Sequence, residues 1–118
     1  MQKKEIKLNG LKHSFFVTTS FDNLIKLTMF DKKVNELNHE QQIETQKKHP
    51  DMTKILEQNV KLYNLQLDFV KDVFDLQDQD MKAFRRNNSY DDVNELIADL
   101  QDYFSGNEGE EKSAQKSH

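Results

Sequence analysis

The chain has 118 residues, which suits one domain of modest size, and 32% of them are charged against 35% hydrophobic. It contains no cysteine, which excludes a disulfide framework, a thiolate metal site and a cysteine nucleophile. The net charge of −4 is uneven, because residues 1–49 carry nine Lys against six acidic side chains and residues 75–118 carry five basic against eleven acidic ones.

The first predicted element is a β-hairpin over residues 4–18 that turns at Asn9-Gly10. Both turn residues tolerate the positive φ of a two-residue type I′ turn, which fixes the pairing of the strands. The predicted pairs are Leu8 with Leu11, Ile6 with His13, and Lys4 with Phe15. One face is then apolar, and it must pack on something because a two-stranded hairpin alone is marginal in water.

The first predicted helix covers about residues 20–37, after an N-cap in Thr18-Thr19-Ser20. Its apolar residues form more than one stripe at three- and four-residue spacing, so we expect it to be buried on two sides. Residues 38–49 are polar except for Ile43. They are either an exposed connection or a helical extension, and we interpret them as a mobile joint.

The central predicted helix, residues 50–78, is the longest, with Pro50 and Asp51 favouring its start. Its apolar face is too broad for a simple two-stranded coiled coil, which indicates several packing neighbours. The segment DLQDQDMKAFRRNN breaks the helical pattern. A last helix over residues 89–105 has a capping box of Ser89 and Asp92 and a C-cap at Gly106.

These elements predict an α+β fold that is mainly α, with three to four helices and a short N-terminal β-hairpin. Residues 1–106 form the predicted single domain, with helices at about 20–37, 50–78 and 89–105. Residues 107–118 have Ala114 as their one apolar side chain and are predicted to be disordered.

No residue pattern indicates a catalytic, cofactor or metal site. HEQQI, residues 39–43, has an isoleucine where a zinc-protease helix needs its second histidine. DLQDQD, residues 75–80, lacks the glycine and the closing glutamate of a calcium loop. His13 is expected to pack within the hairpin rather than to bind a ligand. We therefore predict a protein that is not an enzyme and has no cofactor.

Partner-binding residues are predicted in two places. The hairpin is expected either to pair by edge addition with another chain or to cap the first helix of its own chain. In the irregular segment, an exposed Phe84 beside two arginines is expected to anchor a partner. The predicted set is Ile6, Leu8, Leu11, Phe15, Phe84, Arg85 and Arg86.

Two classes of partner are not expected. The basic N-terminal half contains no arginine cluster and the last helix is acidic, so neither suits nucleic-acid binding. No apolar run approaches the roughly 20 residues of a membrane span, and no apolar segment follows the basic N-terminus, so we expect a soluble, unexported protein.

The order of elements resembles that of the small tail assembly chaperones of long-tailed phages and prophages of Gram-positive bacteria. The opening KLNGLKHSFFV and the later FVKDVFD carry the resemblance, which covers about residues 4–105. It implies a mostly helical protein that coats the tape measure protein and recruits tail tube subunits, with homo-oligomers possible. It further implies work in the cytoplasm of the infected cell and absence from the finished virion.

The resemblance also implies a longer product made by ribosomal frameshifting, for which the tail segment EEKSAQKS is the expected region. The alternative is a small adaptor or regulatory protein of a mobile element that binds one host protein through its long helix.

Overall fold

A computed structural model describes residues 3–106 of the chain. Within them, a two-stranded antiparallel sheet precedes four helices, which confirms the predicted fold class. The elements are β1 (Lys3–Lys7), β2 (Ser14–Thr18), α1 (Phe21–Thr45), α2 (Met52–Phe74), α3 (Asp78–Asn87) and α4 (Tyr90–Ser105). The predicted disordered tail and the frameshift region lie outside the described residues.

The hairpin turns at the predicted residues, but its turn type and register differ from the prediction. The Leu11 N–H donates to the Leu8 carbonyl at 3.2 Å, and of the two central residues Gly10 alone has a positive φ, of 91°. This is the pattern of a type II turn, which splays the strands.

Pairing therefore begins further from the turn, at Lys7 and Ser14. Ile6 lies opposite Phe15 and Lys4 opposite Val17, so the predicted pairs were wrong by two residues. A shift of two preserves the alternation of faces, because side chains alternate with a period of two.

The turn has this form because it is docked on the end of α3. The Asn9 side-chain amide donates to Asn88 Oδ1, and Asn88 Nδ2 donates to the Asn9 carbonyl, both at 3.2 Å. A Cβ on Gly10 would lie 2.5 Å from the Asn87 side-chain nitrogen and 2.9 Å from the Ala83 carbonyl oxygen. Glycine is thus required here both for its φ and for the close approach.

Helix α1 is longer than predicted. It begins after Ser20, whose hydroxyl accepts a hydrogen bond from the Asn23 N–H at 3.2 Å, and it continues to Thr45. The mobile joint predicted for residues 38–49 is therefore wrong over 38–45, which are helical. These residues lack an apolar face, but polar contacts with α2 hold them in place.

Helices α1 and α2 pack antiparallel. The rings of Phe30 and Phe69 stack at 4.5 Å between centroids, and further along Gln41 Nε2 donates to Asn59 Oδ1 at 2.7 Å. Asp51 caps α2 by accepting from the Thr53 N–H at 3.0 Å. The helix stops at Phe74, short of the predicted residue 78, because Asp75 adopts a left-handed φ of 54°.

Helix α3 occupies the segment that was predicted to be irregular. The Asp80 carboxylate accepts from the Gln77 N–H at 3.1 Å and so caps the helix start. Its inner face buries Met81 and Phe84. A segment with two buried residues three apart is too short to show a helical period in the sequence alone.

Helix α4 has the predicted caps. The Ser89 hydroxyl accepts from the Asp92 N–H at 3.1 Å, and the Asp92 carboxylate accepts from the Ser89 N–H at 2.9 Å. Gly106 ends the helix with a φ of 79°. The five buried residues of α4 lie at helical spacing: Val93, Ile97, Leu100, Tyr103 and Phe104.

The apolar core lies at one end of the α1–α2 pair. The hairpin, the first part of α1, the second half of α2, α3 and α4 all contribute to it. Among the residues between Phe30 and Phe69, all of which the structure describes, no hydrophobic side chain is fully buried. The other end of the α1–α2 pair therefore projects beyond the core.

Candidate partner-binding surfaces

The apolar face of the hairpin packs on its own chain. Phe15 meets Phe74 edge-on at 5.8 Å, the Lys4 ammonium lies 5.7 Å from the centre of the Tyr103 ring, and Leu8 and Val17 are buried. Ile6, Leu11 and Phe15 are partly buried against the same core. Of the two expectations for the hairpin, packing within its own chain is the one seen, mainly on α2 rather than on α1.

The outer edges of the hairpin remain open within the described residues. The sheet has two strands, so β1 and β2 each keep one edge without a neighbouring strand in residues 3–106. Strand addition at these edges stays a prediction.

Phe84 does not form the exposed anchor that the sequence suggested. It is 1% exposed, because α3 turns it into the core, so that expectation was wrong. The neighbouring Arg85 and Arg86 lie on the outside of α3. The predicted residues are thus split between a core position and the surface.

The first exposed apolar surface, which we call the α1 stripe, consists of Phe21, Ile25 and Met29. These residues recur every four positions, and Phe21 is 84% exposed. The helix buries Leu27 and Phe30 on a different face. The prediction that α1 is buried on two sides is therefore wrong for the single chain, since the second stripe faces solvent.

The second exposed apolar surface, which we call the α2 stripe, consists of Met52, Leu56, Val60 and Tyr63. Spacings of four, four and three residues place these side chains on one face of the helix. They belong to the broad apolar face that the sequence predicts for the central helix. Periodicity alone does not show that this part of the face lies beyond the reach of α3 and α4.

The α2 stripe ends at a pocket beside Tyr63. The rings of Tyr63 and Tyr90 meet edge-on at 4.9 Å, and beside them lies a cavity of about 250 Å³. Its lining is Tyr63, Gln66, Leu67, Arg85, Asn88, Ser89, Tyr90 and Val93. Arg85 is the one charged residue in this lining, and the other walls are mainly apolar.

A buried carboxylate holds the far end of the α1–α2 pair. Glu44 is 5% exposed and accepts hydrogen bonds from the Asp51 N–H and from Lys47 Nζ, each at 3.1 Å. These bonds, the one from the Asp51 backbone most of all, lower the pKa of Glu44 below its ordinary value of 4.5. The turn between α1 and α2 is thus held by a charged side chain rather than by an apolar contact.

The acidic run of residues 75–80 is divided among separate structural roles. Asp75 ends α2, Asp80 caps α3, and Asp78 accepts from Lys71 Nζ at 2.7 Å, a bond that lowers the pKa of Asp78. Over residues 3–106, no three His, Asp or Glu side chains are grouped so as to hold a metal ion. Among the same residues, no helix is apolar over the length that crossing a membrane requires.

The family model of phage tail assembly chaperone proteins, TAC, matches residues 4–118. The chain belongs to this family. The resemblance in layout is thereby confirmed, and the tail assembly chaperone family implies protein partners in tail assembly. No curated protein and no solved structure matches the chain.

Proposed function

We propose that this tail assembly chaperone binds the tape measure protein and recruits tail tube subunits to it, without catalysing a reaction. Two exposed apolar stripes, on different helices of the described chain, are the observation that carries the proposal. Single exposed apolar residues are common on protein surfaces, whereas rows of three or four are typical of interaction sites. Two such rows suit a protein that holds two others together.

Self-assembly along the tape measure protein is part of the proposal. Lys32 and Lys33 follow the α1 stripe, and the exposed acids of α4 include Asp91, Glu95 and Asp99. Opposite charges on two different helices favour a head-to-tail arrangement in which α1 of one copy faces α4 of the next. The open edges of β1 and β2 offer a second route, by strand addition.

We further propose that the protein works in the cytoplasm of the infected bacterium, is absent from the finished virion and exists also as a frameshifted long form. The coding DNA around Glu111 to Ser113 tests the long form directly. A slippery sequence and an overlapping −1 reading frame are expected there. A gene without both would contradict the long form and would leave the proposed binding untouched.

A pull-down tests the binding of partners. The full chain is co-expressed with tagged fragments of the tape measure protein, with and without the tail tube protein. We expect the chain to be retained by at least one fragment, and tube subunits to be retained only when the chain is present. Absence of retention on every fragment would refute the proposed function.

Light scattering behind size-exclusion chromatography tests self-assembly. The average mass should rise with concentration, and the rise should weaken at high salt because the proposed contact is between opposite charges. Lys32→Glu combined with Lys33→Glu should reduce it, and Lys48→Glu, an exposed lysine distant from the α1 stripe, serves as the control. A strict monomer at the highest concentration would contradict self-assembly.

A further inference from the structure

The α2 stripe is the exposed part of a longer seam on one face of α2. The seam runs through Leu56, Val60, Tyr63, Leu67, Val70 and Phe74, with alternating spacings of four and three residues. This is the spacing with which one helix packs against another in a coiled coil. Val70 is 0% exposed and Leu56 is 60% exposed, so the seam is covered in its second half and bare in its first.

The chain itself covers the second half of the seam. Helix α4 approaches α2 through the Tyr63 and Tyr90 rings, and Gln66 Nε2 donates to Asn94 Oδ1 at 2.6 Å. Beyond Tyr63, towards Met52, the described chain supplies no helix on this side. The bare part, from Met52 to Tyr63, is about 16 Å long, or three helical turns.

We propose that the α2 stripe docks one amphipathic helix of the partner, which in the proposed function is the tape measure protein. Its apolar residues would have three- and four-residue spacing, and an acidic residue would lie where the helix meets Arg85. The inference rests on the proposed function, because it specifies which part of the chain holds the partner and by what chemistry. A helix continues the packing that the seam already makes with the chain's own elements.

The pocket at the end of the stripe has the size of an anchor site. Its volume of about 250 Å³ lies below the range of roughly 300–1,000 Å³ that is usual for small-molecule sites. Walls made by Tyr63, Tyr90 and Val93 suit one large apolar side chain of a docked helix. Such a side chain, inserted in a pocket beside aromatic rings, is typical of the residues that dominate binding energy.

The positive charge of Arg85 beside the pocket favours an acidic residue next to the anchoring side chain of the docked helix. Arg85 lines the pocket and makes no salt bridge to a residue of the described chain. Asp78, an acid on the same helix, is already bonded to Lys71 at 2.7 Å. A guanidinium beside an apolar pocket is suited to a carboxylate, and a helix accommodates acidic side chains best in its first turn, at its N-terminal end.

The test uses the full chain and a fluorescent synthetic helix of about 18 residues, long enough to cover the stripe. The peptide has leucines at alternating three- and four-residue spacing and two glutamates at its N-terminal end. A second peptide has glutamines in place of these glutamates. Fluorescence anisotropy should show the glutamate peptide binding roughly fivefold more tightly, and Arg85→Ala should abolish the difference between the two peptides.

Matched variants locate the binding on the chain. Leu56→Glu should weaken binding of the glutamate peptide roughly tenfold or more, because the substitution places a charge in the centre of an apolar contact. Ile25→Glu is the control, since Ile25 and Leu56 are both 60% exposed but Ile25 belongs to the α1 stripe. It should change the affinity less than about twofold. Circular dichroism confirms that both variants are folded.

Three results would overturn the inference. One is failure of the glutamate peptide to bind, and another is an equal loss of binding in both variants. The third is a dimer of the chain that Leu56→Glu dissolves, which would make a second copy the occupant. The pull-down separates this from the proposed function: retention of a tape measure fragment that is unchanged by Leu56→Glu refutes the inference alone, whereas no retention of the unaltered chain refutes the function.

Discussion

The two ends of the α1–α2 pair are stabilised by different means. At the core end, hydrophobic side chains of the hairpin, α3 and α4 pack together. At the other end, which we call the tip and define as residues 38–60, the fixed contacts are polar: Gln41 with Asn59, and Glu44 with Asp51 and Lys47. Most apolar residues of the tip, including Met52 and Leu56, face solvent.

This difference relates the fold to its use. A polar tip keeps its helices paired without burying the apolar side chains that a partner would contact. It also lacks the packed contacts that resist local opening, so the tip should open more readily than the core end. We thus expect a more stable end that defines the fold and a less stable end whose exposed apolar side chains a partner could contact.

The largest expected effect comes from removing a core side chain. Phe84→Ala should lower the free energy of unfolding by about 3–5 kcal/mol, because the side chain is fully buried and its removal leaves a cavity. Ile43→Ala at the tip should change it by less than about 0.5 kcal/mol, since Ile43 is exposed. Urea unfolding of both variants measures this contrast. Similar losses of unfolding free energy at the two sites would contradict it.

The next effect concerns the turn that docks on α3. Gly10→Ala should cost about 1–3 kcal/mol, because alanine is strained at a φ of 91° and its Cβ would collide with the Ala83 carbonyl. Gly106→Ala is the matched control, with a φ of 79° but no atom of residues 3–106 within 4 Å of the added Cβ, and should cost about 1 kcal/mol. Thermal unfolding of the two variants should differ in this order, and the reverse order would argue against the docked turn.

A smaller effect is expected from the carboxylate at the tip. The folded pKa of Glu44 is lowered below 4.5, so its contribution to the free energy of unfolding is present above pH 4.5 and is lost as the pH falls through the folded pKa. Glu44→Gln removes this contribution. Unfolding midpoints measured against pH should therefore fall more steeply in acid for the unaltered chain than for the variant. Parallel profiles would show that Glu44 does not stabilise the tip through its charge.

The smallest effect is expected from the exposed ion pair of Lys71 and Asp78. The pKa of Asp78 is lowered by the hydrogen bond from Lys71, but the Asp78 side chain is 90% exposed. Solvent and salt screen such a pair, so Asp78→Asn should change the acid profile less than Glu44→Gln does. A larger change for Asp78→Asn would reverse the ranking of the two carboxylates.

Helix α4 was predictable because its signals are local. Ser89, Asp92 and Gly106 lie at the ends that they cap, and the apolar spacing between them is regular. The hairpin was predictable in place but not in detail. Its turn type depends on a contact between Asn9 and Asn88, residues far apart in the sequence.

Two further errors have the same physical origin. Residues 38–45 are helical because Gln41 and Glu44 contact α2 and the turn before it, and such polar contacts leave no apolar period. Phe84 was expected to be exposed because two arginines follow it. The signals for α3 are Met81, three residues earlier, and Asp80, whose carboxylate accepts from the Gln77 N–H at the helix start. The exposed stripes were missed because periodicity shows that residues share a face, not that a neighbour covers it.

The most direct test of this account is amide hydrogen exchange of the full chain, alone and bound to the tape measure fragment that the pull-down retains. Alone, the amides of residues 52–60 should exchange faster than those of residues 66–74, which lie in the core half of the same helix. On binding, residues 52–63 should become the most strongly protected part of α2. Protection confined to other elements, with residues 52–63 unchanged, would contradict the account.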